Sequence, residues 1–230
     1  KECEVLPSLL DQIYTCLIAN DRWQLILSGL GNTLLIALCA ILIGTVIGAV
    51  MALCRLSNNK ILRGISLVYI TVIRGIPMVT QLMLFAYVIF APVSISKIVV
   101  AIIAFGVNSG AYRTEIMRGG IQAVDKGQME AGRSLGLSKW QTMRKIILPQ
   151  AVKHILPTYT NEFIVLIKET SVAGYIAIQD LTKVSDMIRN ADYNAWVPLI
   201  AAALIYLVLT LGLSRLFAAL ERRMARSDRS

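Results

Sequence analysis

The sequence predicts an all-α integral membrane protein with five transmembrane helices and a cytoplasmic helix-turn-helix. Three observations support this prediction. Of the residues, 56% are hydrophobic and only 16% are charged, whereas a typical soluble domain has about 45–50% apolar residues and about 25% charged residues. Five long stretches are apolar with few or no charges, and the basic residues collect between alternate stretches. The composition therefore argues against a soluble enzyme and against a disordered chain.

Residues 1–22 are predicted to form an external amphipathic helix. Its apolar stripe contains Val5, Leu6, Leu9, Leu10, Ile13, Tyr14, Leu17 and Ile18. We expect this helix to end at residues 20–22, before Trp23 anchors the first span. Cys3 and Cys16 are separated by a rotation of about 220° on one helix, so they should not face each other. The chain starts without Met, which leaves open both processing and a longer protein with an external domain upstream.

The transmembrane domain is predicted to cover residues 23–220. Two stretches in it have no charged residue, residues 23–54 and residues 193–214. The first has 32 residues, which as a helix would be about 48 Å long and exceed the ~30 Å hydrocarbon core. The three other apolar stretches are residues 64–90, 98–117 and 155–179. Residues 221–230 remain as a tail.

Short connecting segments give the orientation, because Lys and Arg collect on the cytoplasmic side. Residues 55–63, 118–153 and 215–230 carry net charges of +3, +5 and +3. The opposite side carries −2 in residues 1–22, +1 at Lys97 and −1 in residues 180–192. The N-terminus is therefore predicted outside and the C-terminus inside. The net charge of +9 is then explained by basic residues on the cytoplasmic face of a membrane protein, rather than by a patch that binds nucleic acid.

Segment 118–153 contains start and stop signals for its first short helix. Asp125 with Gln128 is typical of a capping box, in which a side chain at the helix start binds a free backbone N–H. Gly136 suits the residue that follows the helix, where a left-handed conformation is common. One helix is therefore expected between Asp125 and Gly136.

A second short helix should follow in the same segment. Ser138 with Gln141 again indicates a capping box, and we expect Pro149 to close this helix. Two such helices would make a docking surface against the membrane. A basic amphipathic loop that binds anionic headgroups explains the composition equally well at this point.

The order of residues favours the docking surface. The letters E-A-G, three residues, G, nine residues and I-x-L-P follow one another here. This run resembles the EAA loop of ABC importer permeases, whose pattern is E-A-A, three residues, G, nine residues, I-x-L-P. Gly132 replaces the second Ala, which lowers helix propensity by about 1 kcal/mol. The residues that match the pattern functionally are Glu130, Ala131, Gly132, Gly136, Leu148 and Pro149.

Other segments are similar to the polar amino acid subgroup of these permeases. They are residues 74–77, 119–124, 161–163 and 168–171. The resemblance covers residues 24–223, and residues 1–22 lie outside it. It implies a type I importer permease in a bacterial cytoplasmic membrane.

The resemblance also implies partners. Two permease subunits, identical or related, would enclose one pathway, and two cytosolic ATPase subunits would bind ATP and Mg. An external binding protein, separate or fused upstream, would deliver an amino acid. The EAA loop would fit a groove on the ATPase, with Glu130 pairing with a basic residue there. This chain has no P-loop motif and is expected to hold no cofactor.

Charged and polar residues inside the spans are the candidates for the substrate pathway, because a charge in the bilayer usually faces a cavity or a partner. Glu162 is the first candidate, since its carboxylate could meet an amino acid's ammonium group. Thr158 lies on the same helical face, and Asn161 lies beside it. The further candidates are Asn108, Ser109 and Arg74.

Two other functions compete with this one. A secondary transporter or channel not driven by ATP would usually show inverted repeats and broken helices, but only residues 74–77 favour it. A membrane-bound enzyme would need a nucleophile with a base, or a cluster of metal ligands. Neither is found, so no catalytic and no metal-binding residues are predicted.

Overall fold

A computed structural model describes residues 8–226, and within them every regular element is a helix. The α-helices are α1 (Leu9–Ile13), α2 (Arg22–Leu56), α3 (Lys60–Gly75), α4 (Met78–Leu84), α5 (Lys97–Gln122), α6 (Lys126–Ser134), α7 (Lys139–Thr142), α8 (Leu148–Glu169), α9 (Leu181–Asp192) and α10 (Trp196–Arg226). Wider π turns or tighter 3-10 turns join several of them, at Tyr14–Ile18, Ala19–Asp21, Phe85–Ile89, Met143–Ile147 and Thr170–Ile176. The all-α prediction is confirmed for the described residues.

The long helices α2 and α5 pack closely because glycines line their contact. Gly44 and Gly48 are four residues apart, a spacing that favours close approach of membrane helices. A Cβ built on Gly48 would lie 2.7 Å from the Cβ of Arg113, and one on Gly44 would lie 2.9 Å from the Ser109 hydroxyl oxygen. Neither position has room for a side chain.

Helix α5 lies at the centre of the fold, with α2, α3, α4 and α8 packed around it. The largest apolar core forms where these helices meet. Its fully buried members include Ile36, Leu82, Phe105, Leu166 and Ile176. This arrangement puts the polar residues of α5 against neighbouring helices.

Two helical segments within residues 8–226 are long and apolar enough to cross a membrane, Leu9–Leu56 and Trp196–Met224. A third span is possible if Lys60–Gly75 and Met78–Ile89, which meet at 106°, count together. Helices α5 and α8 fall short because charged and amide side chains lower their hydropathy. The number of spans is therefore two or three by this standard, and the five-span arrangement remains a prediction.

The N-terminal segment breaks before α2, at the place that the sequence predicts. Asn20 and Asp21 both have a φ of 55°, a left-handed conformation that interrupts a helix. Before the break, Cys16 is buried against α9 and α10. Leu10 and Tyr14, from the predicted stripe, are exposed. The predicted separation of Cys3 from Cys16 lies outside the described residues.

Candidate coupling surface and intramembrane polar site

Helix α6 starts at the cap that the sequence predicts. The Asp125 carboxylate accepts a hydrogen bond from the Gly127 N–H at 2.6 Å. Gln128 does not complete a capping box; its side-chain oxygen accepts from the Gln150 amide at 3.4 Å instead. Asp125 alone therefore caps α6 with its side chain.

The end of α6 is also fixed locally. Gly136 has a φ of 83°, which a residue with a side chain adopts only with strain. Its N–H donates to the Arg133 carbonyl at 3.0 Å, and the Leu137 N–H donates to the Gly132 carbonyl at 3.1 Å. These two bonds form a Schellman motif, in which the turn satisfies the last carbonyls of the helix.

Helix α7 follows at once and packs back on α6. Ser138 and Gln141 exchange side-chain and backbone hydrogen bonds of 2.8 and 3.1 Å, as the predicted capping box requires. Gly132 is buried against Thr142, and a Cβ there would lie 2.5 Å from a Thr142 methyl carbon. The glycine that departs from the E-A-A pattern therefore makes room for a branched side chain.

The outer side of this pair of helices is exposed. Glu130 and Ala131 are accessible on α6. Leu135 is 81% exposed and Trp140 is 65% exposed, next to basic residues. Exposed large apolar side chains within a basic segment are typical of a docking surface. We call Glu130, Ala131, Leu135 and Trp140 the coupling surface.

The prediction that Pro149 closes the second helix is wrong. The chain passes from α7 through the π turn Met143–Ile147 into α8, and Pro149 stands in the first turn of α8. Proline is tolerated there because its missing N–H would have no partner within that helix. Leu148 is half-buried and Pro149 is exposed at this junction.

The break between α3 and α4 is stabilised by one amide side chain. Gln81 donates hydrogen bonds to the carbonyl of Ile76 at 2.8 Å and to that of Ile73. Its own oxygen accepts from Asn108 at 3.1 Å. Backbone carbonyls freed before Pro77 are thus satisfied in the interior. Asn108, a predicted pathway residue, is buried and holds this bend.

Arg113 is fully buried between α2, α5 and α8. Its Nε donates to the Ser109 hydroxyl at 2.8 Å, and its guanidinium stacks on the Tyr159 ring, 4.2 Å from the ring centre. One terminal nitrogen, Nη1, is 3.4 Å from the Thr45 hydroxyl, whereas Nη2 has no hydrogen-bond partner. Ser109, a predicted pathway residue, therefore holds Arg113 inside the chain.

Two further charged residues, Arg74 and Glu162, stand on α3 and α8, both of which pack against α5. Arg74 is exposed at the end of α3, with its guanidinium 4.9 Å from the centre of the Tyr112 ring. Glu162 is half-buried on α8, where the negative charge of Glu169 acts on it as well as the positive charges of Arg113 and Arg74. Arg74, Arg113 and Glu162 together form what we call the intramembrane charge site.

The remaining predicted pathway residues share a polar side of α8. Thr158 and Asn161 are exposed there, as is Lys168 about two to three turns further along. No neighbouring element within residues 8–226 covers them. A polar helix face in a membrane needs a partner or a water-filled space.

Comparison with known proteins identifies the family. Residues 44–226 match the sequence model described as the binding-protein-dependent transport system inner membrane component. The chain belongs to this family. It is a membrane permease subunit of an ABC importer rather than an enzyme.

Named relatives of this permease match almost end to end. The glutamine transport system permease protein GlnP of Escherichia coli is 37% identical over 203 residues, covering 87% of this chain and 93% of the relative. The arginine transport system permease protein ArtQ of Bacillus subtilis is 39% identical over 205 residues, covering 88% and 94%.

Solved structures show that the permease has the type I ABC permease fold. A crystal structure of an amino acid ABC transporter with histidines has 39% sequence identity and a TM-score of 0.85, covering 95% of this chain and 99% of that chain. The MetNI methionine ABC transporter in an inward-facing form has 20% identity, a TM-score of 0.77 and coverage of 90% and 99%. The second likeness concerns the fold alone.

Several residues whose contacts are important in the permease structure were not predicted from the sequence. Tyr159 and Gln81 carry no signal in the sequence, because their importance depends on which helices meet. Leu135 and Trp140 could have been noticed as large apolar residues in a basic segment. No group of three or more potential metal ligands occurs in the part of the chain that the structure describes.

Proposed function

We propose that this permease is one of two membrane subunits of an ATP-driven amino acid importer. The two nearly full-length relatives are named for glutamine and for arginine, and the matching solved structure is an amino acid transporter. The substrate of this chain is therefore a polar amino acid. An external binding protein, separate or fused upstream, delivers it.

The coupling surface is the single observation that carries this proposal. It combines Glu130 with exposed apolar side chains on a short, firmly capped helix pair. Such a rigid projection transmits the motion of a partner better than a loop does. The partner is a pair of cytosolic ATPase subunits, which bind ATP and Mg. This chain itself binds no cofactor.

Five spans explain the charge pattern. They are α2, α3 with α4, α5, α8 with the turn after it, and α10. With an odd number of crossings, the external segment 1–22 and the cytoplasmic tail 221–230 lie on opposite sides, and the basic EAA loop 118–153 is cytoplasmic. Helices α5 and α8 tolerate their polar residues because these face protein or the pathway.

The pathway lies along the polar side of α8. Thr158, Asn161 and Glu162 are accessible to different degrees on that side, and a second permease subunit, identical or related, would face them. The other candidates belong to the same region. Asn108 and Ser109 are buried inside the chain, whereas Arg74 is exposed. Lipid surrounds the outer helices.

Two substitutions, one in the coupling surface and one in the turn after α6, test the coupling role. We expect Glu130→Lys to weaken ATPase association, and Gly136→Pro to uncouple hydrolysis from uptake by breaking the turn after α6. The measurements are co-purification of the ATPase and the ratio of ATP hydrolysed to amino acid transported in proteoliposomes. Ser94→Lys, in the exposed loop on the opposite side, is the control and should behave as wild type.

Two results would contradict the proposal. The first is normal coupling in both variants, which would remove the role of the coupling surface. The second is amino acid uptake driven by an ion gradient with no ATPase bound, which would favour a secondary transporter.

A further inference from the structure

An apolar wedge lies between the C-terminal halves of α2 and α10, beside α8. At the N-terminal ends of α2 and α10, the short helix α9 fills the space between them. A Cβ built on Gly29 of α2 would lie 2.9 Å from a methyl carbon of Val184 on α9. Val197 of α10 belongs to the same apolar cluster as Val184. Towards the C-terminal ends, cavities remain on both flanks of α8 instead.

Two cavities make up this wedge, and they share Leu156 and Tyr159 of α8. The first, of about 430 Å³, extends to α2 and α5, and the second, of about 350 Å³, extends to α10. Leu53, Val152 and Leu220 line them and are 65%, 45% and 47% exposed. The wedge is therefore open at the surface of the bundle, and inside a membrane it is open to lipid.

Polar contacts fix the floor of the wedge on both sides. The hydroxyl of Tyr159 hydrogen-bonds that of Thr45 on α2. The Thr160 hydroxyl donates to the Glu221 carboxylate of α10 at 2.7 Å. Helix α8 is thus attached to both neighbours, and the wedge is a built part of the fold.

The wedge opens away from the polar side of α8. Tyr159 and Lys168 are nine residues apart, which is a rotation of about 180° on a helix. Lys168 belongs to the exposed polar side, which also contains Thr158 and Asn161. A second permease subunit on that side would leave the wedge to the bilayer.

A basic side chain stands at the rim of the wedge. Arg223 lines the second cavity and is exposed, and it has no hydrogen bond or ion pair within the described part of the chain. The nearby carboxylate of Glu221 already accepts from Thr160. A guanidinium stays charged and can bind a phosphate with two hydrogen bonds. An apolar groove with such a rim is complementary to a phospholipid.

The surrounding charge favours a lipid with a net negative charge. Residues 215–230 carry a net charge of +3. A zwitterionic lipid would bring its own cation next to these basic residues, whereas an anionic lipid brings none.

We propose that the wedge binds an anionic phospholipid of the cytoplasmic leaflet. Its acyl chains lie in the two apolar cavities, and its phosphate pairs with Arg223. Basic pockets between spans on the cytoplasmic side of membrane proteins bind such headgroups. The inference rests on the five-span arrangement proposed above, which places the C-terminal end of α10 at the cytoplasmic surface.

Photolabelling of the permease–ATPase complex in nanodiscs tests this site. The nanodiscs contain equal parts of phosphatidylglycerol and phosphatidylcholine, and a trace of one or the other carries a photoreactive diazirine in its acyl chain. Mass spectrometry identifies the labelled residues. We expect Val152 and Leu220 to be labelled about fivefold more by the phosphatidylglycerol probe, the preference that one basic residue gives for an anionic lipid. Val208, exposed on α10 outside the wedge, should be labelled equally by both probes.

Substitutions at two neighbouring arginines assign the preference to one guanidinium. Arg223→Gln should bring the ratio of the two probes in the wedge close to one. Arg223→Lys keeps the charge and should retain most of the preference. Arg222→Gln is the matched control, because Arg222 is exposed but does not line the wedge, and it should leave the ratio unchanged.

Three results would overturn the lipid site. They are equal labelling of the wedge by both probes, absence of label there because protein fills it, and a preference that survives Arg223→Gln or is lost equally in Arg222→Gln. Each would leave the proposed importer standing, because none concerns the coupling surface. Labelling of α6 from outside intact cells would instead remove the membrane arrangement on which both proposals depend.

Discussion

Arg22 and Asp192 join the start of α2 to the end of α9. The guanidinium binds the carboxylate through two nitrogens, one of them at 2.7 Å, and only 13% and 16% of the two side chains are exposed. The hydrogen bond from Arg22 lowers the pKa of the Asp192 carboxyl below its ordinary value of 3.8. The pair therefore stabilises the fold fully above that value, and its contribution is lost as the pH falls through the lowered pKa.

Removing this carboxylate should destabilise the permease in a pH-dependent way. We expect Asp192→Asn to cost about 1.5–3 kcal/mol near neutral pH, the range for hydrogen bonds to charged groups. The measurement is thermal denaturation of the purified permease between pH 7 and pH 3. The difference from the wild type should shrink towards the acid end, because the wild-type carboxylate becomes protonated there.

Asp186→Asn provides the control for this prediction. Asp186 also forms ion pairs, with Lys183 at 3.1 Å and Arg189 at 2.6 Å, but these side chains are about a third exposed. Exposed pairs contribute little, so this variant should melt close to the wild type. A loss for Asp192→Asn that stayed constant down to pH 3 would show that the ion pair is not its cause.

At the scale of helices, the contact between α2 and α5 depends on missing side chains. We expect Gly48→Ala to destabilise the permease by about 1–3 kcal/mol, because the new methyl group would meet Arg113 in a packed interior. Gly31→Ala on the same helix is the control, since a Cβ there would meet nothing within 4 Å. Thermal denaturation compares the two variants.

The control variant should equal or exceed the wild type in stability, because Ala favours a helix over Gly by about 1 kcal/mol. If Gly48→Ala were as stable as Gly31→Ala, the close packing of α2 on α5 would be refuted. The result also bears on the charge site, because Gly48 makes the space in which Arg113 is buried.

Local signals in the sequence predicted the short helices well. The caps at Asp125 and Ser138 and the turn at Gly136 depend on residues within three or four positions, so they can be recognised without the fold. The role of Pro149 could not be predicted from the sequence, because proline is common both after the end of a helix and in the first turn of one. Only the π turn before it shows that Pro149 belongs to the first turn of α8. The burial of Arg113 could not be predicted, because it depends on three helices that are distant in sequence.

At the scale of the whole molecule, the arrangement in the membrane rests on charge asymmetry. The hydropathy of the individual helices supports only two or three spans, whereas the alternation of the loop charges predicts five. In the proposed five-span arrangement, the two spans that hydropathy does not identify are α5 and α8, whose charged and amide side chains lower their mean hydropathy.

Labelling of single cysteines decides the topology. In a variant whose own cysteines are replaced by Ala, we introduce Ser94→Cys, Ala195→Cys, Asn58→Cys or Ser134→Cys, all at exposed positions. With five spans and an external N-terminus, a membrane-impermeant maleimide added to intact cells should label Cys at the first two positions only. Permeabilised cells should be labelled at all four, which controls for reactivity. Labelling of the Ser134→Cys variant in intact cells would place α6 outside, and the coupling surface could then not reach a cytosolic ATPase.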